Sequence, residues 1–150
     1  TAPQIGVRES RRVVGEYVLT VDDVLGARKF VDGIARAAYS IDIHSPTDGT
    51  SDIRRLKPGT SYEIPYRSLV PKGVRNLLIA SRCISSTHEA HSSLRVMPIV
   101  MAIGQAAGTA AAMCAASGRT PKRVNARELR KRLVAEGADL DREPGSSKPA

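Results

Sequence analysis

The stretch from Val96 to Ala116 constrains this chain more than any other, because it is long, apolar and carries no charged side chain. Pro98 suits the first turn of a helix, where its missing N–H would have no intrahelical partner in any case. Gly118 suits the residue just past the end, where a left-handed backbone costs glycine little. The spacing therefore predicts a helix running to about Ser117. Gly104, Gly108, Ala111, Ala112 and Ala115 recur three or four residues apart and give it a face with almost no side-chain bulk. Such a face lets another helix, a sheet or a flat ligand approach the backbone closely. A membrane span is disfavoured: Ala and Gly contribute little insertion energy, and Pro98 and Gln105 oppose it.

What precedes that helix sets its context. Leu77-Leu78-Ile79-Ala80 has strand length and is too short for a typical helix. Ser81 to Arg95 then reads as a polar loop that holds His88 and His91. Strand, loop and buried helix in this order place a helix N-terminus at the carboxyl end of a strand, where open α/β sheets bind ligands.

Length and composition bound the rest. A chain of 150 residues is expected to form one domain with a sizeable core. With aromatics at 3% and no Trp, that core must rely on Val, Ile, Leu and Ala. Cys83 and Cys114 stand far apart without a CxxC, which argues against a zinc or disulfide framework and for a reduced, cytoplasmic setting.

In chain order, Val13-Val14 and Tyr17-Val18-Leu19 are strand-like. Thr20 is a good N-cap for a short helix ending near Ala27 to Lys29, and Asp22 and Asp23 favour its positive end. Ile34 to Ile43 alternates like a strand, and Thr47 to Thr60 has turn chemistry. Tyr62 to Leu69 reads as a strand that Pro65 confines to an edge or bulge. Asn125 to Glu128 resembles a capping box for a helix over 126–136, with Leu129 and Leu133 inward and Gly137 as its stop. Residues 141–150 read as a frayed tail.

These motifs carry a resemblance. Ile-Pro-Tyr-Arg-x-Leu-Val-Pro at 64–71 and Asn-Leu-Leu-Ile-Ala-Ser-Arg-Cys-Ile-Ser at 76–85 resemble the C-terminal part of FAD-dependent oxidoreductases. So do Thr-His-Glu-Ala-His at 87–91, Arg-Val-Met-Pro at 95–98, Gly-Gln-Ala-Ala-Gly at 104–108 and Arg-Glu-Ser-Arg-Arg-Val-Val-Gly-Glu-Tyr at 8–17. The family has a glutathione-reductase-like FAD domain, and the branch resembled is xanthan-lyase-related. The likeness covers roughly Arg8 to Leu140.

The resemblance implies an α/β fold: part of an FAD/NAD(P)-binding Rossmann-like domain without its N-terminal dinucleotide-binding segment. No GxGxxG follows a strand anywhere in the sequence, and in the family that fingerprint lies far upstream. Residues 1–61 would then end an inserted substrate-side domain, and residues 62–140 would return to the FAD domain. The expected cofactor is FAD, and the expected partners are a small-molecule substrate and the missing N-terminal half of the flavoprotein. The complete enzyme would transfer a hydride between substrate and flavin, with the fragment alone inactive. Ser81, Arg82, Arg95, Val96 and Met97 would line the cofactor. His88, His91 and Arg95 would carry the chemistry, a histidine moving a proton and Arg95 stabilising charge on the reduced flavin. Two positions depart from the pattern, Ser81 and Ser92, where such proteins usually have glycine.

Rival readings stay open at this point. Both histidines could serve only to cap or bridge loop backbone. His-Glu-Ala-His is one residue short of HExxH and has no third ligand nearby, so no metal is expected. The net charge of +8, with Arg119, Lys122, Arg123, Arg127, Arg130, Lys131 and Arg132 in one region, admits nucleic-acid binding. No interleaved aromatics or nucleic-acid motif support that alternative. A non-catalytic truncated remnant is the third.

Overall fold

The computed structural model describes residues 9–45 and 47–140. Four helices and four short strands build it: α1 Val21–Leu25, β1 Gly33–Ala37, β2 Ile41–His44, β3 Ser51–Arg54, β4 Tyr62–Pro65, α2 His88–Leu94, α3 Met97–Ser117 and α4 Ala126–Ala135. Single 3-10 turns follow β4 at Tyr66–Leu69 and precede α4 at Pro121–Arg123. The expected tail, 141–150, lies outside the described residues.

The strands pair as two antiparallel ribbons, β1 with β4 and β2 with β3. In the first, Ala35, Arg36 and Ala37 face Ile64, Glu63 and Tyr62, after a register shift between Gly33 and Ala35. β4 is buried along its whole length, and Ile34, Ala35 and Ala37 of β1 are buried beside it. The single strand expected over Ile34 to Ile43 is thus two, broken at 38–40. The strand expected over Tyr62 to Leu69 stops at Pro65, where the missing N–H ends the ladder and the chain turns.

Around β1 and β4 sit the helices. α3 packs on β1, and α4 packs on both α3 and β1. The core combines Leu19, Ile34, Ile64, Leu69, Ile84, Leu94, Ile103, Leu129 and Leu133, all nearly inaccessible to solvent. The helix boundaries follow their caps. The Thr20 hydroxyl accepts from the Asp23 N–H while the Asp23 carboxylate takes the Thr20 N–H, a reciprocal capping box, and α1 ends early at Leu25. Asn125 accepts from the N–H groups of Arg127 and Glu128. Gly118 and Gly137 take positive φ of 66° and 95° just past α3 and α4.

Leu77–Ala80 is not a strand. Leu77 is 44% exposed, and Ile79 N–H donates to Leu69 O at 2.9 Å, but no ladder of bonds continues from it among the described residues. Strand propensity is expressed only where a neighbour supplies the partner groups. The segments at 13–19, 68–70 and 83–87 are instead laced by isolated backbone bonds. Leu19 N–H donates to Ser85 O, Ser85 N–H to Ser68 O, and Thr87 N–H to Leu19 O.

α3 is long and apolar enough to cross a bilayer by length and composition. Its buried residues, Ile99, Ile103, Ala106, Ala107, Ala110 and Met113, form the face turned to the core. The small-residue face lies elsewhere on the helix: Gly108, Ala111, Ala112 and Ala115 are exposed and Gly104 is half-buried.

Candidate flavin-facing segment and histidine cluster

The segment expected to be a loop, 81–95, contains a helix. Thr87 caps it, its hydroxyl accepting from Ala90 N–H at 3.3 Å, and Ala90 and Leu94 anchor it in the core. Spacing that reads as a functional loop therefore hides two turns of α2, because the apolar anchors are only two among serines and histidines. The serines lock the helix to its neighbours. Ser92 Oγ accepts from Asp42 N–H at 3.0 Å and donates to Glu89 O. Ser93 Oγ donates to Tyr39 O at 2.6 Å and lies 2.8 Å from the Tyr62 hydroxyl. Arg95 closes the helix and donates from Nη2 to Asp42 O at 3.0 Å. Ser92 thus has a local use, tying α2 to β2. Ser81 likewise takes part in a tight turn, its Oγ 2.9 Å from Cys83 Sγ.

His88 and His91 sit one turn apart and meet the same carboxylate. Glu9 Oε2 is 2.7 Å from His88 Nδ1 and 3.4 Å from His91 Nδ1, and its other oxygen pairs with Arg12. His88 is exposed, whereas His91 is buried. Burial lowers the His91 pKa to about 4, assisted by the charges of Arg12, Arg95, His88 and Arg82. The Glu9 carboxylate stands 3.4 Å away, and the buried His91 Nδ1 has no hydrogen-bond partner among the described residues. Near neutral pH the fold therefore holds His91 as the neutral imidazole. The sequence reading missed Glu9 as a partner, since nothing local links it to α2.

Arg95, Val96 and Met97 form the entrance to α3. Val96 is the N-cap and supplies no side-chain hydrogen bond, so the first-turn N–H groups are uncapped by side chains. Met97 is 79% exposed and Arg82 is exposed. Among the described residues no hydrogen bond joins Ser81 or Arg82 to this entrance, but the charges of Arg82 and Arg95 both reach His91. Along the C-terminal half of α3 runs an open groove of about 740 Å³, lined by Arg75, Leu78, Ala80, Gly108, Ala111 and Arg119 among others. A Cβ placed on Gly108 would meet nothing within 4 Å.

The basic region is partly used up inside the fold. Arg130 donates to Gly33 O at 2.7 Å and to Leu140 O at 2.9 Å, and pairs with the buried Glu63 at 3.4 Å. Lys122 pairs with Glu16, and Arg132 with Glu128. Among the described residues no three His, Cys, Asp or Glu side chains gather as a metal site.

No curated protein and no solved structure matches this chain. The family model described as FAD dependent oxidoreductase matches residues 1–133. The chain accordingly belongs to the FAD-dependent oxidoreductase family, with FAD as its cofactor and flavin-dependent redox chemistry as its general role.

Proposed function

We propose that this chain is the C-terminal part of a flavoprotein oxidoreductase of the xanthan-lyase-related branch and that it supplies one side of a Rossmann-like FAD site. One observation carries the reading: α3 keeps an uncapped N-terminus and an exposed small-residue face, while no GxGxxG exists in the sequence to hold the pyrophosphate. Residues 1–61 belong, in this reading, to the end of a substrate-side domain, and residues 62–140 to the FAD domain.

The residues present fit one half of such a cofactor. A helix N-terminus free of a capping side chain, beside a guanidinium, suits an electron-rich ring edge or a phosphate. Arg95, Val96 and Met97 would hold the ring edge, and Ser81 and Arg82 the more distant polar part. FAD, when bound, supplies the acceptor for a hydride from substrate. Arg95 adds positive charge where negative charge develops, and its bond to Asp42 O fixes its direction. His88, exposed and bonded to Glu9, exchanges the substrate proton with solvent. His91 remains neutral behind it and serves as the second station of that proton.

The chain alone then lacks half the site and does not retain FAD. The test is to extend the chain with the in-frame coding sequence upstream of Thr1 and to purify both forms. The extended protein is expected to contain strand–GxGxxG–helix and to be yellow with stoichiometric FAD. The 150-residue chain is expected to be colourless and to show no saturable quenching of FAD fluorescence. A stoichiometric yellow preparation of the short chain, or an upstream sequence without the fingerprint, overturns the reading.

A further inference from the structure

The β2–β3 ribbon has two unlike edges. On the β2 side, Asp42 N–H donates to Ser92 Oγ at 3.0 Å and Arg95 Nη2 donates to Asp42 O at 3.0 Å, so α2 seals that edge. Asp42 stands opposite Ile53, and in the same register Ser45 N–H donates to Thr50 O at 2.8 Å. Bonded and non-bonded positions alternate along an antiparallel pair. Thr50, Asp52 and Arg54 therefore turn their backbone groups to β2, and Ile53 turns its N–H and C=O outward. No backbone bond meets those two groups among the described residues. Ser51 and Asp52 are exposed beside them, and Ile53 is 56% exposed. A two-stranded ribbon with an open edge of this kind is a template for a further strand.

The charges on β3 narrow which strand that is. Placed antiparallel to itself about Ile53, β3 sets Asp52 opposite Arg54 of a second copy, and Arg54 opposite that copy's Asp52. A two-fold contact repeats each pair, and here both repeats are opposite in sign. The next position along the ladder pairs Ser51 with Arg55, so no like charges meet. A register shift of two residues in either direction opposes Asp52 to Asp52 or Arg54 to Arg54, which fixes the register. Within one chain Asp52 Oδ2 lies 3.3 Å from Arg54 Nε, and the side chains stay 54% and 38% exposed. An exposed pair of this kind contributes little by itself and leaves both groups open to the facing strand.

We propose that β3 is a self-association edge, at which two copies of this chain join antiparallel and continue their ribbons as one four-stranded sheet. The two Ile53 residues exchange N–H···O=C bonds and pack side chain on side chain, while Asp52 and Arg54 pair across the other face. The contact is smaller than the roughly 1,200 Å² of stable interfaces, so the pairing is weak and reversible. It does not depend on the flavin reading, because no residue assigned to the cofactor lies on this edge.

The test raises the concentration of the isotopically labelled 150-residue chain and follows the amide resonances of residues 51–55, with the mass read by sedimentation equilibrium. The parent is expected to show saturable shifts there with a dissociation constant on the order of 1 mM, and a mass rising towards the dimer. Asp52→Arg and Arg54→Asp each place like charges opposite one another twice, and each should weaken the pairing at least about tenfold. Mixing the two variants restores both opposite-charge pairs. Labelled Asp52→Arg titrated with unlabelled Arg54→Asp should therefore recover the parent's affinity, a rescue that a merely structural role for either residue does not produce. Ile53→Pro leaves the bonds to β2 in place, since the Ile53 N–H is not among them, and should abolish the pairing. Three results would overturn the edge: no concentration-dependent shift, association that neither charge variant weakens, or no rescue in the mixture. In the first case the edge belongs to a strand of another chain, and in the second the copies meet elsewhere, as on the exposed face of α3.

Discussion

Glu9 and His88 are 79 positions apart in sequence and 2.7 Å apart in space. Their contact, shared by His91 at 3.4 Å, ties the 9–18 segment to α2. It also sets up a pH dependence. The His91 pKa falls from its ordinary value of 6.5 to about 4 in the folded chain, because burial and the surrounding arginines disfavour its charged form. A histidine with a depressed folded pKa contributes its full share of stability above the unfolded value and loses it as pH drops towards the folded one.

Stability should therefore decline as pH falls from about 6.5 to about 4, by an amount on the order of 3 kcal/mol from this group. Carboxylates such as Asp23 and Glu89, whose pKa values are lowered, add their own losses at the acid end. Urea melts at a series of pH values, compared between the parent and His91→Gln, isolate the histidine. The variant should show a flatter profile between pH 6.5 and 4. Identical profiles would mean that His91 is not held neutral by the fold.

Arg130 offers a second test, on stability alone. Its guanidinium meets the Gly33 carbonyl, the Leu140 carbonyl and the buried Glu63, whose other oxygen accepts from Phe30 N–H at 2.9 Å. Arg130→Met strands the Glu63 carboxylate in the core and should destabilise the chain by about 3 kcal/mol. Arg127→Met, on the same helix, should cost less than about 0.5 kcal/mol. Denaturant unfolding of both variants checks the contrast. Equal small losses would show that the basic cluster is only a solvated face.

What the sequence revealed follows the range of the forces involved. Thr20, Pro98, Gly118 and Asn125 mark helix ends through bonds and dihedral limits that act within three or four residues, and each cap stands where expected. The inward placement of Leu129 and Leu133 is equally local, a matter of helical period. Long-range pairing was not legible. Leu77–Ala80 has strand residues but no ladder, and the real ribbon joins 33–37 to 62–65 across a long excursion. α2 was hidden because serines at 92 and 93 read as loop chemistry, although their hydroxyls dock the helix on Asp42, Tyr39 and Tyr62. The Glu9 contact likewise leaves no mark on local spacing.

Arg95 tests the cofactor side in a complete protein carrying this C-terminal part. Arg95→Met should leave folding largely intact, lower the flavin potential and slow flavin reduction. A charge-assisted contact worth roughly 1.5–3 kcal/mol in the transition state corresponds to about ten- to a hundredfold in rate. If Arg95 only docks α2 on Asp42 O, the variant should instead lose about 1 kcal/mol of stability and reduce at the parent rate. Stopped-flow reduction with a potential measurement separates the two outcomes.

The exposed face of α3 provides the last prediction. Gly108 lies in a helix interior with nothing within 4 Å of an added Cβ, so a larger side chain meets no obstacle in this chain. Gly108→Leu should therefore stabilise the isolated chain, by about 0.8 kcal/mol from helix propensity alone. That gain should raise the melting temperature by roughly 2–4 °C. Gly15 is the opposite case, because its Cβ would stand 2.8 Å from Ser85 Cβ and 3.1 Å from Arg67 O. Gly15→Ala should lower the melting temperature by forcing apart the segments laced around Leu19. In the extended protein the sign at Gly108 should reverse. If the small-residue face receives the N-terminal half there, an isobutyl group at this position blocks the approach, and FAD retention should drop with it. Thermal melts of the short and extended forms, read beside the flavin absorbance of the extended one, decide the matter. A Gly108→Leu variant that is stabilised in both forms and keeps its FAD would show that this face is not where the halves meet.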